Sequence, residues 1–426
     1  MGFLTGFLDV LSNNVLRNPP VLLGLIAAIG LIVQKKNIAD IIKGSLMAAF
    51  GMMVLDTGVG LIAGSISQIN GAFQATITSD ATVGEALNDV TFTNSFGGEV
   101  GMAMFIGLII HLLIARFTKV KTIFLTGHML WWFPFIFVAA GVEGGLRGLP
   151  LILFGAIFSA CYWSFMPWIM RRFVWDVTED DSFLIGHPTG FLSIISGLVA
   201  RKFGNKERST EDVNVPQSLS FFREISVTGA IVIFLLYLVL SIFIPSVISE
   251  GANPFFESIS QGLTFGAGLL IMLYGVRMLI NQIVPAFQGI SEKLIPGAIP
   301  AFDVPILFNY RPNAVIIGFL VAMITSTILI VIANSFNIFG VLLVPLVVTS
   351  FFEMGGAAVV GEGQGGLKGA ILGTMAASFV MVAVMGISVA IYSETIQSWL
   401  LIFGGNDFSI FGPIAKLIAD LLSGVF

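Results

Sequence analysis

The chain has little charge, few histidines and almost no cysteine. Of its 426 residues, 11% are charged, three are His, and one, Cys161, is Cys. A single thiol excludes an intramolecular disulfide and a thiolate metal cluster, because each needs at least two. The sequence has no P-loop pattern, no CxxC pair, no basic tail and no His, Asp and Glu set with metal-ligand spacing. We therefore expect no cofactor, no bound metal and no nucleic-acid-binding domain.

Hydrophobic residues, by contrast, are abundant. They make up 56% of the chain, with 39 Phe and 48 Gly, and the mean hydropathy is +0.97. A typical soluble protein carries about 25% charged residues, and no soluble core could bury this much apolar surface. The composition predicts an all-α polytopic membrane protein whose helices pack closely through small residues.

Apolar runs of about 20 residues predict membrane-spanning helices. The sequence contains eleven such runs, at roughly 19–33, 41–66, 98–116, 122–141, 148–171, 225–248, 261–284, 313–333, 337–353, 367–392 and 409–425. Several are long enough to tilt or bend in a bilayer.

Basic residues predict the orientation, because Lys and Arg gather in cytoplasmic loops. They follow the first, third and fifth spans: Lys35, Lys36, Lys43, Arg116, Lys119, Lys121, Arg171, Arg172, Arg201, Lys202, Lys206 and Arg208. The alternate connections at 67–97, 249–260, 334–336 and 393–408 contain neither. The N-terminus is therefore expected outside and the C-terminus in the cytoplasm.

Two apolar segments are interrupted by Gly, Pro or polar residues and differ from ordinary spans. They are 183–199 (FLIGHPTGFLSIISGLV) and 354–366 (MGGAAVVGEGQGG). Irregular backbone at membrane depth survives only where protein or a water-filled cavity satisfies its polar groups. We interpret the segments as re-entrant hairpins that line a substrate site; the alternative is a pair of cytoplasmic loops with an amphipathic turn.

The two halves of the chain contain similar short segments in the same order. LTGHMLWWFPF at 125–135 resembles LIPGAIPAFDV at 294–304, and the runs at 145–156 and 309–320 share an Arg, Arg147 and Arg311. IGHPTG at 185–190 resembles VGEGQG at 360–365, and 53–62 resembles 271–280. Matches in the same order predict repeats at about 41–200 and 261–392, and the predicted orientation makes them inverted. Inverted repeats are common in secondary carriers with a midplane site.

Polar residues inside apolar segments are the candidate site residues, since an unpaired charge there is costly. The predicted substrate-binding set combines carboxylate, imidazole and amide groups with residues flanking them: Asp56, Thr57, Gly58, His128, Trp132, His187, Thr189, Asp303, Glu362 and Gln364. Such groups hydrogen-bond several hydroxyls at once. Trp132 could stack on a sugar face, although Trp in membrane spans also serves packing and interface anchoring.

Three further polar residues favour structural roles. His111, near the cytoplasmic end of the third span, is expected to lie at the membrane interface rather than to bind a ligand. Arg277 and Arg311 are expected to anchor the inner interface or to pair with carboxylates.

Long runs of the sequence resemble one family. KGSLMAAFGMMVLDTGVG, KTIFLTGHM, FLIGHPTGF followed by GNKERSTEDVNVP, and above all GVRMLINQIVPAFQGISEKLIPGAIPAFDVPILFNYRPNAVIIGF look like the ascorbate-type (SgaT/UlaA-like) membrane subunit IIC of the bacterial phosphoenolpyruvate:sugar phosphotransferase system. The resemblance covers nearly the whole chain and is strongest at 270–320.

The resemblance implies a homodimeric carrier in the bacterial inner membrane. It implies eleven spans, a scaffold part, a mobile core part that holds the substrate, and elevator-like movement. It also implies that a separate IIB protein, charged by IIA, phosphorylates the substrate through a phosphocysteine. The cytoplasmic segment 171–212, with its Lys and Arg residues, could dock such an acidic partner; the positive-inside rule alone explains most of the same charges.

The substrate and the energy source stay open. Similar ascorbate-type members carry Gln at the positions of Asp56 and Trp132 and a Gln-rich run where this chain has 188–190, while His128, His187 and Asp303 are retained. A carboxylate repels the ascorbate anion, so the departures favour a neutral sugar or alditol. The alternative function is a proton- or sodium-coupled symporter, in which Asp56, Asp303 or Glu362 would take up the ion.

Overall fold

The computed structural model describes residue 15 and residues 18–78, 89–212 and 224–423. Its helices are α1 (Pro19–Val33), α2 (Ile38–Thr78), α3 (Asp89–Phe117), α4 (Gly127–Glu143), α5 (Gly148–Thr178), α6 (Gly190–Phe203), α7 (Ile225–Phe243), α8 (Pro254–Lys293), α9 (Pro305–Phe308), α10 (Pro312–Ser335), α11 (Val347–Ile391), α12 (Gln397–Phe403) and α13 (Asp407–Ser423). Three short strands are β1 (Thr122–Phe124), β2 (Leu184–Ile185) and β3 (Ile299–Phe302). The centre of the predicted outer loop at 67–97 and the end of the GNKERSTEDVNVP run lie outside the described residues.

The predicted all-α membrane class is confirmed. Seven helices in the described part of the chain are long and apolar enough to cross a membrane: 38–66, 92–117, 148–178, 226–243, 254–286, 312–335 and 347–391. They coincide with seven of the eleven predicted spans. The chain is a multi-pass membrane protein.

The other four predicted spans differ from simple long helices. The first is α1, which has 15 residues, and the last overlaps α13, which has 17. The run at 122–141 divides into β1 and α4. The prediction of a helix over 337–353 is wrong before 347, because Gly340 adopts a positive φ of 71° and Pro345 lies in the non-helical stretch that follows.

One group of helices, α1, α2, α7 and α8, packs through glycine. Gly51 lies against Leu279, and Gly58 lies against the backbone of Met272, so α2 and α8 run in opposite directions. Gly30 of α1 contacts Ala286 of α8 in the same way. Small residues let helix backbones approach closely where lipid gives no hydrophobic driving force. These contacts hold the group, hereafter the glycine-packed group, together.

The second group contains α3 to α6 and α9 to α13, and its centre is α11. This helix is interrupted at Gly365 and Gly366, where the φ of Gly366 is 60°. Residues eight apart in a straight helix are about 12 Å apart, yet the backbones of Gly361 and Gly369 touch. The helix therefore reverses into two arms, 347–364 and 367–391, that pack on α6 and α10.

The two interrupted segments meet in the structure, although their local form differs from the expectation. Residues 354–364 are helical, so the break comes only at the end of the predicted 354–366 hairpin. In 183–199, β2 and a short loop precede α6. Asn205, just after α6, donates its N–H to the carbonyl of Gly365 over 2.7 Å. The two segments thus lie side by side in the second group.

The strands form one parallel sheet in the order β1-β3-β2, with Thr122 opposite Ile299 and Leu184 opposite Ala301. The sheet satisfies backbone groups that lipid could not.

The side chain of His111, on helix α3, is hydrogen-bonded to strand β1 of that sheet. Its Nε2 accepts the N–H of Phe124 over 3.0 Å, and its Nδ1 lies 2.8 Å from Ser164 Oγ. Nδ1 therefore carries the ring proton and donates to Ser164. The side chain of His111 is 0% exposed, so its structural role, which the sequence favoured, is to support β1 from inside the protein.

Candidate functional site

The carboxyl ends of the three parallel strands place three polar residues together. His128 follows β1, His187 follows β2 and Asp303 follows β3. Asp303 lies between the two histidines, with its Oδ2 3.7 Å from His128 Nε2 and its Oδ1 3.6 Å from His187 Nε2. His187 is 6% exposed and His128 37%, so His128 forms the accessible side of the triad.

A cavity of about 200 Å³ opens in front of this triad. Its polar lining consists of His128, His187, Asp303, Glu353 and Asn406. Its apolar lining comes from α2, α4, α9, α11, α12 and α13: Val59, Ala63, Met129, Trp132, Pro305, Val348, Phe352, Trp399, Phe403 and Phe408. One end of the cavity therefore presents hydrogen-bonding groups, and the rest of its wall is aromatic and aliphatic.

Trp132 lines the aromatic wall with Trp399. Their ring centroids lie 5.0 Å apart at an interplanar angle of 33°, and Phe408 lies 5.7 Å from Trp399. Apolar C–H faces of a sugar ring or an alditol chain pack on such rings, while the hydroxyls point to the polar end.

Asp56 is near the triad without lining the cavity itself. It lies one helical turn before Val59 on α2 and interacts electrostatically with His128 and Asp303. The structure thus brings together Asp56, His128, Trp132, His187 and Asp303, five of the ten predicted residues. Among the described residues of the glycine-packed group, those that line the cavity, Val59 and Ala63, belong to α2.

The structure places the other five predicted residues elsewhere. Thr57 is exposed and its hydroxyl donates to Met53 of its own helix, whereas Gly58 packs on α8. Thr189 is buried behind the cavity, where its hydroxyl donates to the carbonyl of Glu353 over 2.7 Å. Glu362 and Gln364 lie at the tip of the α11 hairpin and bind other side chains there, so they do not face the substrate cavity.

Glu362 is the centre of a polar cluster at that tip. Arg311 Nε donates to its Oε2 over 2.7 Å, and Ser209 Oγ donates to its Oε1 over 2.6 Å. Gln364 accepts from Arg201 and donates to Asp176. The cluster ties α10, the α11 tip and the segment after α6 together.

Arg277 and Arg311 have distinct partners in the structure. Arg311 forms the ion pair that was expected as one alternative, with Glu362, whereas Arg277 donates to Asn309 Oδ1 over 3.2 Å. Next to the cluster, Glu211 accepts from Asn313, and partial burial raises the pKa of the Glu211 carboxyl. Glu362, predicted as a substrate ligand, is thus bound to Arg311 and Ser209 and is not among the lining residues of the cavity.

Replacing Glu362 with Gln should destabilise the protein without weakening substrate binding. Arg311 would lose its charged partner and Ser209 a charged acceptor, which costs about 2 kcal/mol. Thermal unfolding of the purified protein measures the loss, and a substrate titration measures affinity. As the control, Asp420→Asn removes the Lys416–Asp420 pair on the surface, and such pairs contribute little. A lowered affinity with unchanged stability would contradict this assignment.

Sequence reasoning missed Asp407, which fixes the loop that carries His187. The side chain of Thr189 does not cap α6; instead, the carboxylate of Asp407 accepts the N–H of Phe191 over 3.1 Å. Tyr162 donates its hydroxyl to Asp407 Oδ2 over 2.5 Å and lies 3.2 Å from the His187 carbonyl. A carboxylate is favourable at a helix N-terminus because it meets free N–H groups and the positive end of the dipole.

Asp407→Leu should therefore lower both stability and substrate affinity. It leaves the N–H of Phe191 without its acceptor, at about 1 to 3 kcal/mol, and it leaves the hydroxyl of Tyr162 only the longer contact with the His187 carbonyl, so the His187 loop loses its anchor. Asp407→Asn retains an acceptor oxygen, so it should lose less stability and less substrate affinity than Asp407→Leu. Thermal unfolding measures the stability of the two variants, and a binding titration measures their substrate affinity. Equal stability and equal affinity of the two variants would show that the cap is unimportant.

The triad is also the set of side chains that could hold a metal ion. One ligand atom from each of His128, His187 and Asp303 lies within 4.8 Å of the others. Metal-ligating histidines almost always donate their second ring nitrogen to a partner, whereas Nδ1 of His187 is buried without one. The arrangement therefore fits substrate hydroxyls better than a metal.

Two comparisons with known proteins show what the chain is similar to. The family model described as PTS system sugar-specific permease component matches residues 14–407. An ascorbate-specific PTS system EIIC component from Mycoplasma pneumoniae is 26% identical over 458 residues, covering 94% of this chain and 69% of the relative.

Proposed function

Because the chain belongs to the family of PTS sugar-specific permease components, and is therefore a phosphotransferase carrier subunit, we propose that its substrate binds in the cavity beside His128, His187 and Asp303. Family membership implies, in general terms, a sugar substrate and a IIB partner. The observation that supports this site most directly is the convergence of the three strand ends on one cavity with an aromatic wall. The bound molecule is a sugar, a polyol or an ascorbate-like compound, which is carried inward and phosphorylated by IIB.

The proposed movement is elevator-like. The triad belongs to the second group of helices, whereas α1, α2, α7 and α8 pack mainly with one another through glycine. We propose that the glycine-packed group is the static scaffold, including the homodimer contact, and that the second group moves with the substrate. Val59 and Ala63 of α2 line the cavity, so this movement would uncover it on alternate sides.

The proposed inverted repeats are supported by corresponding features. Arg147 and Arg311, which the sequence comparison pairs, both immediately precede long helices as their N-caps. The paired runs at 53–62 and 271–280 pack against each other in antiparallel α2 and α8. Repeats of opposite orientation around a central site are the usual architecture for alternating access.

The proposed partner surface lies beside the α11 tip. Segment 171–212 has six Lys and Arg but seven Asp and Glu, and Arg201 is already bound to Gln364 and Asp176. Docking of IIB therefore rests on the exposed local group Lys202, Lys206 and Arg208 rather than on net charge. Docking there requires the tip to face the cytoplasm, which is consistent with the proposed orientation, with the N-terminus outside the bacterial inner membrane.

The ion-coupled alternative is not favoured. Glu362, one of its three candidate ion-binding carboxylates, is already paired with Arg311, and family membership points to phosphoryl transfer by a partner protein.

Energy coupling tests the proposed function. Vesicles that contain the protein should take up substrate only when phosphoenolpyruvate, the general phosphotransferase proteins, IIA and IIB are all enclosed, and the substrate should appear inside as its phosphate. Omission of IIB alone is the control, and it should abolish accumulation because this chain has no phosphoryl donor. Accumulation of unmodified substrate on a proton or Na⁺ gradient, without the partners, would establish the symporter instead.

A further inference from the structure

Glu353 presents an unpartnered carboxyl oxygen in the wall of the cavity. The residue lies in the first arm of α11 and is 5% exposed. Its Oε1 accepts from Asn406 Nδ2 over 2.6 Å, whereas Oε2 is buried and has no hydrogen-bond partner among the described residues. Glu353 and Asn406 both line the cavity.

The surroundings hold this carboxyl group in one orientation. Asn406 fixes Oε1, and the hydroxyl of Thr189 binds the main-chain carbonyl of Glu353 over 2.7 Å. Asn406 is itself held by its position at the start of α13, where its Oδ1 accepts the N–H of Phe408. A side chain fixed at both ends cannot turn away to satisfy Oε2 elsewhere, so the carboxyl group is held in one place beside the cavity.

A buried polar oxygen without a partner is costly and needs a physical explanation. Apolar side chains form much of the nearby lining, including Val348 and Phe352 on the same arm, and they offer no donor. The neighbouring polar lining residues His187 and Asp303 face each other. A donor on a molecule bound in the cavity, which Glu353 lines, would satisfy this oxygen after a small adjustment of the side chain.

We infer that Glu353 is a substrate-binding residue whose Oε2 takes the hydrogen bond of one particular substrate hydroxyl, with Asn406 as its positioning residue. The inference rests on the proposed function, because it requires a hydroxylated molecule in this cavity. It adds a second polar contact to the strand-end triad, contributed by the α11 hairpin. The hydroxyls of the substrate then bind two parts of the protein, the strand-end triad and α11, rather than the triad alone.

This contact makes recognition specific for one hydroxyl position. A site built to hydrogen-bond a hydroxyl rejects an analogue that lacks it far more strongly than an apolar pocket rejects a missing methylene. The substrate that lacks this hydroxyl should therefore bind about tenfold or more weakly to the unmodified protein. The penalty should disappear when the carboxyl group is absent.

Titrations of the full chain in lipid nanodiscs test the inference with defined probes: hexitols, pentitols, hexoses, ascorbate and the monodeoxy analogues of the tightest binder. Glu353→Leu should bind the parent about tenfold or more weakly and should bind one deoxy analogue as well as the parent. Glu353→Gln keeps a polar group toward the cavity and a partner for Asn406, so it should retain position-specific discrimination. Thr374→Val is the matched control, because Thr374 is also a buried, unpartnered polar residue of α11 but does not line the cavity.

The outcomes distinguish failure of the proposed function from failure of the assignment of Glu353. If the unmodified protein binds none of the probes, the proposed function fails and the inference with it. If it binds a probe but Glu353→Leu retains both the affinity and the full set of deoxy penalties, the assignment of Glu353 is overturned while the proposed function stands. Loss of binding in Glu353→Leu and Thr374→Val alike would also overturn it, since the effect would then reflect packing of α11.

Discussion

Replacing Asp303 with Asn is expected to weaken substrate binding about tenfold or more while the protein stays folded. Asp303 lies between His128 and His187 at the polar end of the cavity, where its carboxylate can accept hydrogen bonds from substrate hydroxyls. Charge-assisted hydrogen bonds contribute about 1.5 to 3 kcal/mol each, and 1.4 kcal/mol corresponds to a factor of ten. Calorimetric titration of the purified variant measures the change.

The fold should tolerate this substitution. Asp303 Oδ1 accepts the N–H of Val304 over 2.8 Å, and the amide oxygen of Asn can do the same. Asp303 is not the carboxylate partner of Arg311, because Arg311 pairs with Glu362. Asp176→Asn serves as the control, since Asp176 is a hydrogen-bonded carboxylate of the α11 tip cluster. Equal affinities of Asp303→Asn and the unmodified protein would show that Asp303 is not a ligand.

The sequence could reveal the membrane class and the polar residues that apolar segments contain, but not which of them converge. β1, β2 and β3 have two to four residues each, too few for a period-2 pattern to show within apolar runs. Their pairing brings His128 and Asp303 together although 175 positions separate them in the chain. Long-range strand pairing of this kind depends on the whole packing and leaves no local signal.

The predicted residues that lie outside the cavity and the lining residues that the sequence did not indicate have a related cause. A polar residue inside an apolar segment is expected to have a hydrogen-bond or charge partner. The sequence does not show whether that partner is another side chain or a bound substrate. Glu362 is satisfied by Arg311 and Ser209 at the tip of a hairpin, which serves the fold. Glu353 lies in an apolar run that the sequence assigns to an ordinary span, and Asn406 lies in a predicted outer connection, so neither stood out. Only the reversal of α11 and the approach of α13 place them in the cavity.

The cavity's charges bear directly on the substrate. Three carboxyl groups surround it, Asp56 nearby and Asp303 and Glu353 in its wall, and the described lining residues include no Lys or Arg. An anion such as ascorbate would therefore meet carboxylates without a permanent cation to pair with. A neutral sugar or alditol loses nothing by meeting a carboxylate, since its hydroxyls donate hydrogen bonds to it. The rings of Trp132 and Trp399 supply the complementary apolar surface.

We therefore predict that a neutral sugar or alditol binds more tightly than ascorbate, and that Asp56→Gln narrows the difference. Removing the Asp56 charge removes a repulsion of about 1 kcal/mol or more at close range, so ascorbate should bind about fivefold more tightly to the variant. The affinity of a neutral hexitol should change much less. Asp40→Asn, an exposed carboxylate on the same helix, is the control and should alter neither ligand. Parallel titrations with ascorbate, hexitols, pentitols and hexoses decide the matter, and saturable binding of ascorbate alone by the unmodified protein would refute the prediction.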